Sequence, residues 1–351
     1  MKINSNMLTT NNKTILKGKN LTELQNWCLK YNYNKFRAKQ LYEWMYFHVE
    51  SNPEKMNNLS KRLIVQLQSE CILSTLKIEK ISSSKNENTQ KFLFRTTDNH
   101  FIETVSMIEG SRHTVCISSQ IGCNVDCDFC ATASMGIIRN LKTGEIIDQL
   151  GIVKKSVDNP ITNIVFMGMG EPFLNYNRVL KAADIFHDQK GFGFGSHRIT
   201  ISTSGILNKI DTFYREQRKY KLAISLNASN DKTRSLIMPI NKRWPIHDLI
   251  NIGKKHANRN RKVTFEYVLL EGINDSVENA YELSSLLRGV DCKLNIIPYN
   301  EINGKYRRPT EKVIETFLEV LSSKKDKYRL MVRWSKGQDI DAGCGQLAVK
   351  N

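Results

Sequence analysis

The chain has 351 residues, 40% hydrophobic and 25% charged, ordinary globular usage that sustains a sizeable core and excludes a disordered or fibrous chain. No apolar run approaches the ~20 residues needed to cross a bilayer, and the first twenty residues, rich in Asn, Thr and Lys, lack the apolar stretch of a secretory leader, so a cytoplasmic protein is expected. Lys and Arg outnumber Asp and Glu by 52 to 35, a net +17, which favours a polyanionic partner, nucleic acid first; a Lys- and Asn-rich solvated surface is the plainer alternative.

Residues 21–67 carry apolar side chains at three- and four-residue spacing in LTELQNWCLKYN, KFRAKQLYEWMYFHV and LSKRLIVQLQ, which predicts a small helical module. Its second helix sets Lys35, Arg37 and Lys39 among Phe36, Tyr42 and Trp44, a mixture suited to phosphates and stacked bases, or equally to a core with a solvated face. The polar stretch Ser82 to Asn88 reads as a linker. KFLFRTT and HFIETVSMI, turning at Asp98 and Asn99, read as a β-hairpin.

Beyond Val105 short β-branched runs (TVCISSQ, TNIVFMGMG, RITISTSG, KLAISLNA, KVTFEYVLL, KLNIIPYN) alternate with helical stretches, six times over. This is the sequence form of a parallel sheet or barrel, in which the residues after each strand converge on one face. Those residues are CNVDC, GEPFLN, STSG, SLNAS, EGIND and PYN: small, polar and ligating. The division expected is a helical RNA-binding module over 1–75, a hairpin linker over 76–108 and a barrel over 109–351.

Four of the eight cysteines, Cys116, Cys123, Cys127 and Cys130, fall within fifteen residues, a pattern of metal or redox chemistry rather than of a disulfide framework. Cys123, Cys127 and Cys130 form CxxxCxxC after the first barrel strand. Three thiolates suit an iron–sulfide cube with one iron left open, whereas structural zinc needs four ligands, and Cys116 is available as the fourth. Cys28, Cys71 and Cys292 are left as packing residues.

The segment CNVDCDFC, with Phe129 before the last cysteine, resembles the signature of the radical S-adenosylmethionine (SAM) superfamily, and MGMGEPFLN, with Gly170 and Glu171, resembles its glycine- and glutamate-bearing motif. Within that superfamily SHRITISTSGI, LAISLNAS, LIMPINKRWPI, EYVLLEGIND, NIIPYN and QDIDAGCGQL resemble, in order, the blocks of the RlmN family, over residues 21–347. The related Cfr family, which methylates adenine at C8, is also similar, but Pro172 after GMGE favours the C2 family. Two departures stand out: Asn227 replaces a usual His, and Gly343 replaces a usual Ala.

The resemblance implies a partial (β/α)6 barrel of α/β class, with a 4Fe-4S cluster on Cys123, Cys127 and Cys130, and SAM on Gly170, Glu171, Ser202, Ser225, Asn227 and Asn300. It implies an RNA methyltransferase acting on adenine C2 of 23S rRNA, and of tRNA beside the anticodon, with Cys344 carrying the methyl group, Cys116 resolving the covalent intermediate through a transient disulfide, and Glu103 as proton acceptor. A one-electron donor such as flavodoxin or ferredoxin and a monomeric state complete that expectation. The rival from another class is a non-catalytic RNA-binding protein stabilised by zinc on Cys116, Cys123, Cys127 and Cys130.

Overall fold

The structure is a computed structural model that describes residues 13–257, 262–302 and 304–349; most of the segment read for a leader lies outside the described residues. Among the described residues a short strand, Thr14–Ile15, paired with Cys71–Ile72, is followed by the helices α1 (Leu21–Lys30), α2 (Lys35–Tyr46) and α3 (Lys61–Glu70). Each begins where a polar side chain satisfies a free backbone N–H. Asn20 and Glu23 form a reciprocal capping box on α1 at 2.9 and 2.7 Å, and Asn34 and Ser60 cap the other two. Leu24, Trp27, Leu41, Met45 and Leu63, at helical spacing, go inward.

Ten strands then form one sheet: β1 (Leu76–Ser83), β2 (Thr89–Thr96), β3 (Phe101–Glu109), β4 (Arg112–Cys116), β5 (Asn163–Phe166), β6 (Ile199–Thr203), β7 (Lys221–Ser225), β8 (Thr264–Leu269), β9 (Lys293–Pro298) and β10 (Arg329–Val332). They lie in sequence order, the first four antiparallel and β4 to β10 parallel. Among the described residues the two edge strands, β1 and β10, do not pair, so the barrel is partial. Helices α4 (Thr143–Ser156), α5 (Tyr176–His187), α6 (Leu207–Arg215), α7 (Asp231–Ile237), α8 (Ile246–Ala257), α9 (Val277–Leu286) and α10 (Glu311–Ser323) connect the parallel strands. A continuous core of aliphatic and aromatic side chains runs from α1 and α2 through the barrel.

The expected hairpin is present as β2 and β3, with Asn99 in left-handed backbone at φ 61°. The stretch read as a linker is different: Ser82 and Ser83 end β1, and residues 84–88 make the turn into β2. Its small polar residues mark a hairpin tip rather than slack chain. Strand β10 is a seventh parallel strand beyond the six expected.

The helical module docks through buried polar contacts. Lys17 Nζ lies 3.2 Å from Asp148 on α4, both nearly without exposure, and Tyr42 Oη donates to Asp188 at 2.9 Å. Tyr42 is thus core, while Lys35, Phe36 and Lys39 remain exposed together. Cys28, Cys71 and Cys292 are buried, as packing requires.

Candidate active site

Glycine sets the course of the loop after β4. Gly122 has φ +75°, and a Cβ there would stand 1.8 Å from the Gly136 carbonyl oxygen, because Gln120–Gly122 pairs with Ile137–Asn140 at this point. The same oxygen accepts from Cys123 N–H at 2.9 Å. Asp126, at φ 56°, turns the chain so that Cys130 N–H donates to the Cys127 carbonyl at 3.0 Å. Phe129 packs on Ile237, Met238, Leu270 and Tyr299 beneath the loop, and Asp128 is tied to Lys305 and to Tyr306 Oη.

This anchoring leaves Cys123, Cys127 and Cys130 half-buried, unbridged and facing one cleft. Burial, reinforced by the neighbouring thiols, pushes the Cys123 thiol up to about 12 and the Cys127 thiol well above its ordinary value. A cationic metal centre reverses that balance and deprotonates them. Among the described residues no three His, Cys, Asp or Glu side chains lie close enough to hold one metal ion. A tetrahedral zinc, with Zn–S near 2.3 Å, needs sulfurs about 3.8 Å apart, whereas a cluster holds its cysteines at separate corners. Cys116 does not line the cleft; it ends β4, opposite Val105 and Val165. The donor set therefore fits a three-cysteine cluster rather than four-cysteine zinc.

The opposite wall comes from the ends of β5 to β8. Gly168 and Gly170 bring the turn after β5 against the chain after β4: a Cβ on Gly168 would meet Ser118 at 2.7 Å, and one on Gly170, at φ +90°, would meet Gln120 at 2.4 Å. Glu171 follows, its N–H donating to Gln120 Oε1 at 2.7 Å while its two oxygens accept from Phe173 N–H (2.8 Å) and Ser204 N–H (2.6 Å). Burial raises its carboxyl above the usual range. Pro172 opens the short 3-10 turn that this carboxylate caps. Ser202, Ser204 and Ser225 line the same cleft, a set of hydroxyls that a polar ligand such as SAM fits.

Asn227 faces the cleft too, in left-handed backbone at φ 58°. Its amide is engaged internally, Oδ1 accepting from Val268 N–H at 2.9 Å and Nδ2 donating to Met238 Sδ at 3.2 Å. Arg234, fully buried, gathers these loops by donating to the carbonyls of Ser204 (2.7 Å), Ser225 (3.0 Å) and Leu226 (2.9 Å).

The C-terminal segment closes the cleft. Gly345 O accepts from Ala131 N–H at 2.7 Å and Leu347 O from Thr132 Oγ1 at 2.6 Å, which sets Cys344, free and exposed, on the wall beside the three thiols. Asn300 Nδ2, expected to contact SAM, donates to the Cys344 carbonyl at 2.9 Å, and its Oδ1 accepts from Gln338. Burial raises the Cys344 pKa despite its access to the cleft, and the Arg333 guanidinium draws it back down. Cys116, pushed up to about 12 by its burial, lies within the electrostatic reach of both Arg333 and Cys344.

Glu103, on β3, lies beneath that segment rather than on the cleft wall. Lys91 Nζ is 3.0 Å from its Oε1, and Ala348 N–H donates to Oε2 at 3.1 Å. Burial raises its carboxyl, against the pull of Lys91. Sequence reasoning passed over Lys91, Ser204, Arg234 and Arg333. Ser204 alone had a signal, in the STSG loop already singled out; Lys91 on a strand, Arg234 on a helix and Arg333 just past β10 carry no local motif.

A parallel sheet with three thiols in the loop after its first parallel strand, and a glycine–glutamate turn after the second, defines a radical SAM enzyme. Residues 117–284 match the model of the Radical SAM superfamily, and the cofactors are those of that superfamily, a 4Fe-4S cluster and SAM. Residues 14–73 match the model described as the ribosomal RNA large subunit methyltransferase N-terminal domain. The chain is 40% identical over 335 residues to the probable dual-specificity RNA methyltransferase RlmN of Bacillus subtilis (strain 168), covering 94% of this chain and 92% of the relative. It is likewise 40% identical over 337 residues to the dual-specificity RNA methyltransferase RlmN of Desulfosudis oleivorans, covering 94% and 90%. The crystal structure of a radical SAM methyltransferase from Sphaerobacter thermophilus superposes with a TM-score of 0.91 at 40% identity, covering 95% of this chain and 99% of that one. The chain belongs to the RlmN family.

Proposed function

We propose that this protein methylates carbon 2 of an adenine in 23S rRNA, and in tRNA beside the anticodon, through a methyl group first loaded on Cys344, with two SAM molecules per turnover. Carbon 2 lies between two ring nitrogens and is too electron-poor to attack a sulfonium methyl directly. When bound, the cluster and SAM supply the methyl group and the one-electron chemistry that this carbon requires. The observation that carries the reading is the convergence of Cys344 with the three-thiol loop on one cleft.

Each residue then has a task that its surroundings support. Cys344 is open to the cleft; desolvation raises its thiol and the Arg333 guanidinium offsets part of that rise, toward the thiolate that accepts a methyl group. Gly343 and Gly345 flank it with the freedom a travelling sulfur needs. Glu103, held by Lys91 beneath the Cys344 segment, is the carbon 2 proton acceptor on the strength of the family resemblance. Cys116 forms a disulfide with Cys344 as the methylated base leaves, so both are free beforehand. Lys35, Phe36 and Lys39, exposed together on α2, suit the module to contact RNA. A flavodoxin or ferredoxin serves as electron donor, and the enzyme works as a monomer in the cytoplasm.

The test is expression in cells that lack adenine C2 methylation, followed by mass spectrometry of digested rRNA and tRNA. The wild type is expected to restore 2-methyladenosine to both pools and Cys344→Ala to restore none. Appearance of 8-methyladenosine moves the chain to the C8 reaction; absence of any methyladenine overturns the proposal. Cys116→Ala is expected to retain its iron while losing turnover, an outcome a four-cysteine zinc site forbids.

A further inference from the structure

The cleft occupies the C-terminal end of the parallel strands; their opposite end carries an unexplained concentration of positive charge. Strand after strand begins with, or just after, a basic residue: Arg112 opens β4, Arg198 precedes β6, Lys221 opens β7, Lys262 comes shortly before β8, Lys293 opens β9 and Arg329 opens β10. Because these strands are parallel and adjacent, the six cations share one rim. A cavity of about 810 Å³ opens among them, reached by Lys221, Lys262 and Lys293 and walled by Phe213, Tyr214 and Tyr220. That volume lies within the range of small-molecule sites.

The cations of this rim fall into two groups. Lys262 is 2.6 Å from Asp291, and Arg218 at the cavity edge pairs with Asp184 (3.0 Å) and Glu216 (2.8 Å). Lys221, Lys293 and Arg112 pair with no carboxylate among the described residues. Burial and the charges of Lys293, Arg112 and Arg198 all weigh against the Lys221 ammonium. Like charges gathered around a concavity raise the local concentration of anions and cost stability until one binds. An aromatic wall beside such charges matches a ring joined to phosphate.

We propose that this cavity at the N-terminal end of the barrel is a second binding site, separate from the catalytic cleft, for a nucleoside phosphate, its phosphates on Lys221 and Lys293 and its ring against the Tyr214 and Tyr220 wall. The same chemistry is offered by a free nucleotide and by the 5′-phosphorylated end of an RNA strand.

The experiment uses the reconstituted holoenzyme saturated with SAM, so that the catalytic cleft is filled, and titrates ATP by calorimetry. ATP is expected to bind with SAM in place, to be displaced by pyrophosphate and not by adenosine, and to weaken at least tenfold in Lys221→Gln/Lys293→Gln while Lys221→Arg/Lys293→Arg retains it. If ATP fails to bind but a 5′-phosphorylated RNA oligonucleotide binds at least tenfold tighter than its 5′-hydroxyl counterpart, and the Gln pair removes that preference, the ligand is the strand end. Iron content and melting temperature verify that the Gln pair is folded; if it is not, the pyrophosphate and adenosine competitions on the wild type decide. Equal affinity in wild type and folded Gln pair, displacement of ATP by adenosine alone, or no phosphate-dependent binding of either probe overturns the proposal.

Discussion

At the scale of single residues, the site depends on side chains whose position matters more than their exposure. Glu103 illustrates this. An isolated Glu on a strand is ordinarily a solvated carboxylate, yet here it is buried, its pKa raised by desolvation and lowered by Lys91. Removing the cation leaves only the Ala348 N–H to oppose burial, so Lys91→Met is expected to raise the Glu103 pKa further. Since the proposed proton acceptor works only when ionised, the acidic limb of the pH–rate profile should move to higher pH; single-turnover methyl transfer measured across pH checks it, and a limb that stays in place or moves down contradicts the role. Gly122 is the corresponding backbone case. Gly122→Ala places a methyl against the Gly136 carbonyl at a φ that alanine resists, and the expected result is a chain that assembles less than half the iron of the wild type on reconstitution.

At the scale of elements, the hairpin formed by β1 and β2 does work that its composition conceals. Its tip reaches the C-terminal segment: Lys85 N–H donates to Asp339 at 2.9 Å, Glu87 accepts from Gly337 N–H, and Lys91 Nζ donates to Asp341 O at 3.2 Å. The segment bearing Cys344 is thus clasped between the hairpin and the cysteine loop. Each hydrogen bond contributes about 1 kcal/mol, so Glu87→Ala/Asp339→Ala is expected to speed amide exchange over residues 337–348 roughly tenfold or more while leaving the exchange of β8 and β9 unchanged; equal protection in the variant contradicts the clasp. The sequence made the six barrel strands, the connecting helices and the CxxxCxxC loop legible, because hydrophobic periodicity and ligand spacing are local signals. It did not reveal β1 as a strand or 82–88 as a hairpin tip, since Ser, Asn and Lys suit a strand edge and a linker alike. Nor did it reveal that Asn300 holds the Cys344 carbonyl, or that Arg234 ties the Ser204 loop to the Ser225–Leu226 loop, because such contacts arise only in the folded arrangement and leave no pattern in the chain.

At the scale of the whole molecule, the helical module and the barrel share one core and a buried ion pair. Lys17 and Asp148 are both almost fully enclosed, and Asp148 also accepts from Thr75 Oγ1 at 2.8 Å. Lys17→Met leaves a buried carboxylate without its cation, a loss worth about 3 kcal/mol. The expected outcome in urea is a lower midpoint for the cooperative unfolding of module and barrel together; a module that melts separately while the barrel holds contradicts a shared core. One cleft brings three thiols and Cys344 together, and the proposal that Cys344 accepts the methyl group is tested by incubating the reconstituted protein with SAM and weighing the proteolytic peptide that contains Cys344. The account predicts one added methylene on Cys344, lost in Cys344→Ala and strongly reduced when Cys123, Cys127 and Cys130 are changed to Ala; an unmodified Cys344 in iron-loaded protein that still methylates RNA would contradict it.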